Sequence, residues 1–438
     1  PESQINSIEL SSFGKGVAYI SATRYKLNDY GAYAYKTTDY GKTWTKINKG
    51  VKADDFIKVI REDTKNKSIL YAGSERGFYL STDAGNSWQP FQLNLPIVPV
   101  TDLMIRDNDL VAATAGRAFW ILDDLGAIQQ ATTASSVTLF SPKPAYKFGG
   151  GTGLPEAKYT AGQNAPEGVI LDYILPEVTD STLVTLKITD ASGKLIRTYS
   201  NKKDASYAKY PGGPAAATLL SAKKGHKRFL WNLRNENVQP DVKNVFVYGS
   251  YDGYAVPPGK YKAQLNFNGT IAETEMTVLA NPAIAATAAD WNEQQQILAS
   301  ITASISEMHQ QVNELRKIRK QLIHHSDILK GVKPAEKVLD EAKKLIEVID
   351  AWESNIVEGR IQNGQDVINW PSKLNVEFFN IKRLADAADP RITQGIKTRL
   401  ADLQSQWNAE KGKVEAIKKS VAAYNTLYKS QQLEALIF

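Results

Sequence analysis

Hydrophobic and polar positions change rhythm three times along this chain. Over residues 1–130 they alternate with a period of two in short runs, at 16–22, 57–60, 70–73 and 110–114. Gly, Asn and Asp turns separate the runs, which predicts β structure throughout. Residues 131–167 interrupt the pattern with Pro and Gly, including Gly149, Gly150, Gly151 and Gly153 just before Leu154-Pro155. A phosphate-cradling loop needs a strand before such glycines and a helix after them, so a linker is the better reading. Residues 168–280 alternate again. The run 183–188 turns at Asp190-Ala191-Ser192-Gly193-Lys194 and returns through 195–199, and further strands are expected at 228–233 and 259–265, with a closing hairpin across Asn268-Gly269. Trp231 and Tyr261 fall on strands among apolar neighbours and read as core residues. Short strands with turns between them predict a β-sandwich.

From residue 288 to 438 the period becomes 3.6. Asp290 with Glu293 predicts a capping box, followed by a stripe through Ile297, Ile301, Ile305, Met308, Val312, Leu315 and Leu322. Pro334 is expected to open a second helix, Leu374, Phe378, Ile381 and Leu384 to mark a shorter one, and Asp389-Pro390 to start a long last one. Apolar stripes need each other for burial, so a C-terminal antiparallel helical bundle is expected.

One local pattern occurs twice in the first β region, 44 residues apart: Thr37-Thr38-Asp39-Tyr40-Gly41-Lys42-Thr43-Trp44 and Ser81-Thr82-Asp83-Ala84-Gly85-Asn86-Ser87-Trp88. The Asp can accept backbone N–H bonds, and Gly41 or Gly85 can take the positive φ that closes the turn. Trp44 and Trp88 are each expected to fold back onto their sheet and bury a large ring. Asp39, Gly41, Trp44, Asp83, Gly85 and Trp88 are therefore read as structural.

The shared form, [ST]-x-D-x-G-x-[ST]-W, resembles the Asp-box of sialidase-type β-propellers, and 44 lies in the range of blade repeats. The flanking residues extend the resemblance: Leu93-Asn94-Leu95-Pro96, Val98-Pro99-Val100, Asp102-Leu103, and Gly116-Arg117-Ala118-Phe119-Trp120-Ile121-Leu122-Asp123-Asp124. It continues through Ala161-Gly162-Gln163-Asn164-Ala165-Pro166 and Val256-Pro257-Pro258-Gly259-Lys260-Tyr261 to Ile368-Asn369-Trp370-Pro371. The chain thus looks like the C-terminal part of large exported BNR-repeat proteins with a sortilin-type (VPS10-like) propeller, often labelled glycosyl hydrolases. Relatives usually carry His before the Gly-Arg-x-Phe-Trp run, whereas this chain has Ala115. The resemblance implies a multidomain β + α fold. Closing propeller blades are expected over 1–130, a linker over 131–167, an immunoglobulin-like β-sandwich over 168–280 and the helical bundle over 288–438. It also implies that the remaining blades come from an upstream chain or a separate fragment, and that the protein is exported to the periplasm, outer membrane or cell exterior.

Composition narrows the chemistry. The 438 residues include no Cys and four His, so disulfides and Cys-ligated metals are excluded and little remains for a metal site. No apolar run is long enough to span a membrane. The net charge of +6 is scattered, and the densest cluster, Lys223-Lys224-Gly225-His226-Lys227-Arg228, precedes a strand like a solvated turn, so nucleic acid is not an expected partner. No cofactor is expected.

Glycoside hydrolysis needs two carboxylates about 5–10 Å apart, and no such pair can be assigned from the sequence. All four His lie outside the first β region, which removes a Ser-His-Asp arrangement there. Arg24, Arg117, Asp123 and Asp124 are the candidate ligand-binding residues, because charge at strand ends of closing blades can face a channel or its mouth. The bland reading is a latch in which Arg117 pairs with one of the two Asp residues. Three functions stay open: a binding module for peptide or glycan ligands with later domains as spacers or docking surfaces, a glycoside hydrolase with its carboxylates mostly upstream, and a structural subunit of a cell-surface assembly.

Overall fold

In a computed structural model, residues 2–131, 136–148, 166–333, 335–431 and 433 are described. The glycines at 149–153, the stretch 161–165 and the helix-opening Pro334 lie outside the described residues. The chain divides into two compact units. One comprises residues 1–135 with 140–143, the other 136–139 with 144–438.

The first unit is three antiparallel sheets and a short helix. Sheet one runs β1 (Gln4–Leu10), β2 (Ala18–Arg24), β3 (Asp29–Thr37) and β4 (Thr45–Lys46) in that spatial order. Sheet two repeats it with β5 (Ile57–Glu62), β6 (Leu70–Ser74), β7 (Phe78–Ser81) and β8 (Gln89–Pro90). Sheet three holds β9 (Val100–Arg106), β10 (Asp109–Thr114) and β11 (Phe119–Leu122), followed by α1 (Gly126–Gln130). Each strand neighbours its predecessor in sequence, so every connection is a hairpin and every sheet a meander.

Sheet two is covered on both faces. Ile57, Ile60, Leu70 and Tyr79 share one core with Tyr19, Ala34 and Ile47 of sheet one. Val59, Tyr71, Phe78 and Leu80 share another with Leu103, Leu110 and Ala112 of sheet three. That is why β6 and β7 are buried at every position, while β9 of sheet three keeps exposed positions along its length. The outer faces of the end sheets carry exposed apolar residues: Ile8 and Leu10 on sheet one, Met104, Phe119 and Ile121 on sheet three.

The second unit begins with two sheets around one core. The smaller holds β12 (Thr138–Leu139), β14 (Val169–Leu175) and β17 (Gly225–Trp231). The larger runs β13 (Ala145–Lys147), β19 (Thr270–Ala280), β18 (Gly259–Phe267), β15 (Val184–Asp190), β16 (Leu195–Ser200), with only β13–β19 parallel. Leu171, Tyr173 and Trp231 from the first meet Leu186, Ile188, Ala263 and Leu265 from the second. Trp231 and Tyr261 are buried and meet edge to face at 5.2 Å. The β15–β16 turn closes as expected, with the Asp190 carboxylate accepting from the N–H groups of Ser192 and Lys194. Asn268 and Gly269, both at positive φ, make the β18–β19 hairpin.

Four helices follow: α2 (Ala288–Leu329), α3 (Glu336–Ile356), α4 (Leu374–Ala385) and α5 (Gln394–Ser430). Their stripes meet in one core, in which Leu298, Ile305, Val312, Ile349, Phe378, Leu403 and Trp407 are buried. Two helix starts differ from expectation. Thr287, not Asp290, caps α2, and Asp290 at the third position completes the capping box. Helix α5 begins after Thr393, whose hydroxyl accepts from the Ile396 N–H, rather than at Pro390. In both cases a threonine hydroxyl in extended backbone satisfies an orphan N–H. Leu384, expected on the α4 stripe, is exposed. The segment between β17 and β18 also enters the helical core through Val238, Val242, Val245 and Tyr251. The Asp386 carboxylate accepts from the Arg234 guanidinium at 2.8 Å and the Ala255 N–H at 3.0 Å, and holds that segment to the end of α4.

Candidate functional site

The two repeated turns are built alike. In the first, the Asp39 carboxylate accepts from the Thr43 N–H (2.9 Å) and hydroxyl (2.6 Å), while the Thr37 hydroxyl oxygen accepts from the Gly41 N–H (2.9 Å). In the second, Asp83 accepts from the Ser87 N–H (2.8 Å) and hydroxyl (2.6 Å), and the Ser81 hydroxyl oxygen from the Gly85 N–H (2.9 Å). Positive φ falls on two consecutive residues each time, Tyr40-Gly41 and Ala84-Gly85. The Thr43 hydroxyl and N–H hold the Asp39 carboxyl down to about 2.

The tryptophans part company. Trp88 is 4% exposed; its N–H donates to the Lys49 carbonyl and its indole N–H to the Ile47 carbonyl, both in the segment that leaves β4 of sheet one. Trp44 is 40% exposed, and among the described residues its indole bonds only to Gly41 of its own turn. The expectation that both rings are buried is corrected for Trp44. Burial of this ring comes from the preceding sheet, and no described sheet precedes the first.

The predicted ligand residues do not gather. Arg24, at the end of β2, lies 3.6 Å from Asp29 and 4.0 Å from Glu2. Arg117 is exposed in the β10–β11 turn, and among the described residues it forms no ion pair, so the latch to Asp123 or Asp124 is not formed. Its carbonyl instead accepts from the Trp120 indole. Asp124 is buried at positive φ and accepts from the Gly126 N–H and the Asn108 amide, which fixes the start of α1. Asp123 follows the end of β11, half-buried.

Other carboxylates of this unit are buried and hydrogen-bonded. Asp55 accepts from the hydroxyls of Ser74 and Tyr79, Asp63 from the Tyr71 hydroxyl and two backbone N–H groups, and Glu62 from the Tyr19 hydroxyl, the Ser11 hydroxyl and the Ser12 N–H. Burial, then the Asp55 carboxylate, pushes the Tyr79 hydroxyl up to about 12. Fully engaged acceptors of this kind fix sheets.

A different charged group spans the unit. The first strands of the three sheets, β1, β5 and β9, pack side by side. Arg61 on β5 sits between carboxylates of its neighbours, Glu9 on β1 at 3.6 Å and Asp102 on β9 at 2.7 Å. The guanidinium also donates to the Leu103 carbonyl of β9 (2.8 Å) and to its own strand at Ile60 (2.9 Å). Burial, with Glu62 and Asp102 adding repulsion, raises the Glu9 carboxyl against the pull of Arg61. Asp102 is largely exposed, so the group reaches solvent at one end. It unites one cation with two carboxylates of unequal character on three sheets. The spacings of 52 and 41 residues bracket the 44-residue repeat without matching it, and no periodic signal picks these residues out. Among the described residues, no three His, Asp or Glu side chains converge as metal ligands, and no helix is long and apolar enough to cross a membrane.

Residues 32–119, which contain both repeated turns, match the sortilin-Vps10 family model (sortilin, neurotensin receptor 3). No curated protein sequence matches the chain. Solved structures to which it is similar include an ancestral GH74 enzyme (18% identity, 31% of this chain and 16% of that one, TM-score 0.22). Others are YCF48 bound to a D1 peptide (19%, 28% and 37%, 0.22) and the Niastella koreensis GH74 enzyme (12%, 62% and 46%, 0.23). This chain covers less than half the length of each of these proteins.

Proposed function

We propose that the three stacked sheets are consecutive blades of an Asp-box β-propeller and that Glu9, Arg61 and Asp102 lie on its ligand side. The observation that carries this reading is the side-by-side packing of β1, β5 and β9, which strings those charges across three sheets. In a propeller such first strands surround the central channel. The exposed apolar faces of the end sheets are then surfaces for further blades, from an upstream chain or a separate fragment. The protein binds a peptide or glycan through the charged group and is exported to the periplasm, outer membrane or cell exterior. The two-sheet region is an immunoglobulin-like sandwich and the four helices an antiparallel bundle, serving as spacer or docking modules.

The test is retention on peptide and glycan arrays by the full-length protein and by its Glu9→Gln and Asp102→Asn variants. Retention lost in the variants, with unchanged melting, is the expected result. Retention unchanged in both removes the charged group from the ligand site.

Glu9 and Asp102, two carboxylates held on either side of Arg61, favour a second reading, glycoside hydrolysis, which uses a pair of carboxyl groups as acid and base or nucleophile. Turnover of aryl-glycosides that Glu9→Gln abolishes is the result that would put hydrolysis ahead of binding.

A further inference from the structure

We propose that a groove on the helical part of the second unit binds an acidic peptide segment. The groove measures about 680 Å³ and lies between α2, the end of α3 and the loop leading to α4. That volume falls within the range of about 300–1,000 Å³ typical of sites for compact ligands. It is independent of the blade reading, since every residue that lines it lies beyond position 315.

The lining carries five cationic side chains against three carboxylates, leaving two positive charges. How those charges are held matters more than their number. Arg316 grips Glu353 through two nitrogens and spends its third on the Lys243 carbonyl. Arg319 grips Asp350, and Arg360 grips Glu358, each through Nε and one terminal nitrogen. Nη1 of both Arg319 and Arg360 has no partner among the described residues. Arg360 also stacks over the Trp370 ring at 5.5 Å, which limits its freedom. Lys320 and Lys373 form no ion pair among the described residues.

Two guanidiniums fixed by carboxylates and two ammonium groups outside any close ion pair, of which Lys373 acts on Glu358 at longer range, thus present four cationic donor positions around one cavity. Paired guanidiniums lose little side-chain entropy when a further anion arrives, so much of the ordering cost of binding is already met. Ile323 and the buried Val357 add apolar surface to the lining. The modest charge excess and the apolar patch suit a segment with a few carboxylates and an aliphatic side chain. A densely charged polyanion calls for a larger and less compensated excess.

The experiment is fluorescence anisotropy with the full chain and a fluorescein-labelled hexapeptide, Glu-Asp-Leu-Glu-Asp-Leu, alongside its Gln/Asn counterpart. The acidic peptide is expected to bind saturably and the amide peptide not at all. Affinity should fall about tenfold in the paired Lys320→Ala, Lys373→Ala variant, and further in the paired Lys320→Glu, Lys373→Glu variant. It should also weaken as salt rises. Both lysines are at least partly exposed, so melting curves should match the parent, which separates lost binding from lost fold. Absence of saturable binding, equal affinity in the lysine variants, or equal binding of the amide peptide overturns the proposal. Displacement of the peptide by inorganic phosphate or heparin at lower concentration than by unlabelled peptide overturns the choice of a peptide ligand.

Discussion

Asp39 and Asp83 sit in turns with matching hydrogen bonds, yet Trp44 is ten times more exposed than Trp88. The local sequence determines the turn in both cases. What differs is the ground on which the ring lands. The Trp88 indole bonds to Ile47 and its backbone packs on Lys49 and Gly50, all in the segment that follows β4, whereas among the described residues the Trp44 indole bonds only within its own turn. The motif therefore specifies a ring ready to dock, and the neighbouring sheet determines whether docking occurs.

The largest expected difference is in stability. Trp88→Ala should cost the first unit roughly 3–5 kcal/mol, the usual loss for a buried aromatic ring, while Trp44→Ala should cost less than about 1 kcal/mol. Urea titration of the two variants checks this, and equal losses would break the comparison. Gly50 sharpens it from the receiving side. A Cβ there would lie 2.1 Å from the Trp88 carbonyl oxygen, at a φ of +92°. Gly50→Ala should cost roughly 2–3 kcal/mol, because strain and a backbone clash combine. Gly41 shares the positive φ but its nearest neighbour is the Trp44 ring at 3.6 Å, so Gly41→Ala should cost about 1 kcal/mol.

The smallest expected difference concerns the carboxyls. Asp39 should titrate at about 2, and Asp83 also below the ordinary range: burial pushes Asp83 up, but its Ser87 hydroxyl and N–H bonds outweigh that. A carboxyl depressed by folding adds stability above its unfolded pKa and loses it as pH falls towards the folded value. The Asp39 turn should therefore weaken between about pH 4 and pH 2, and the Asp83 turn as pH falls below about 4. Carboxyl NMR titration is the check, and an Asp83 midpoint in the ordinary range would show that docking alters the turn itself.

The same division explains what was legible in the sequence. The turns, the β15–β16 and β18–β19 hairpins and the apolar stripes of the helices depend on residues a few positions apart, and pattern alone places them. Asp290 and Glu293 offer the same local signal as Thr287 and Asp290, and only backbone conformation separates a cap from a first-turn acid. The exposure of Trp44 depends on a surface beyond its own sheet, which no local pattern encodes. Arg117, Asp123 and Asp124 are close in sequence, but Arg117 lies in the β10–β11 turn with β11 between it and the two carboxylates, and no ion pair joins them. Glu9, Arg61 and Asp102 are the opposite case, far apart in sequence and brought together by three separate strands.

The Trp88 indole bond to Ile47 spans 41 residues, whereas the bonds within its turn span two to four. Those distances imply an order in time. Hairpin closure is a microsecond event that each sheet completes by itself, but the ring can settle only after two sheets exist. Assembly then proceeds by nearest neighbours, as in a one-dimensional array. Opening should follow the reverse course, with the end sheets fraying before the doubly covered middle one. Amide exchange should accordingly be slowest in β6 and β7 and fastest in β1 and β11.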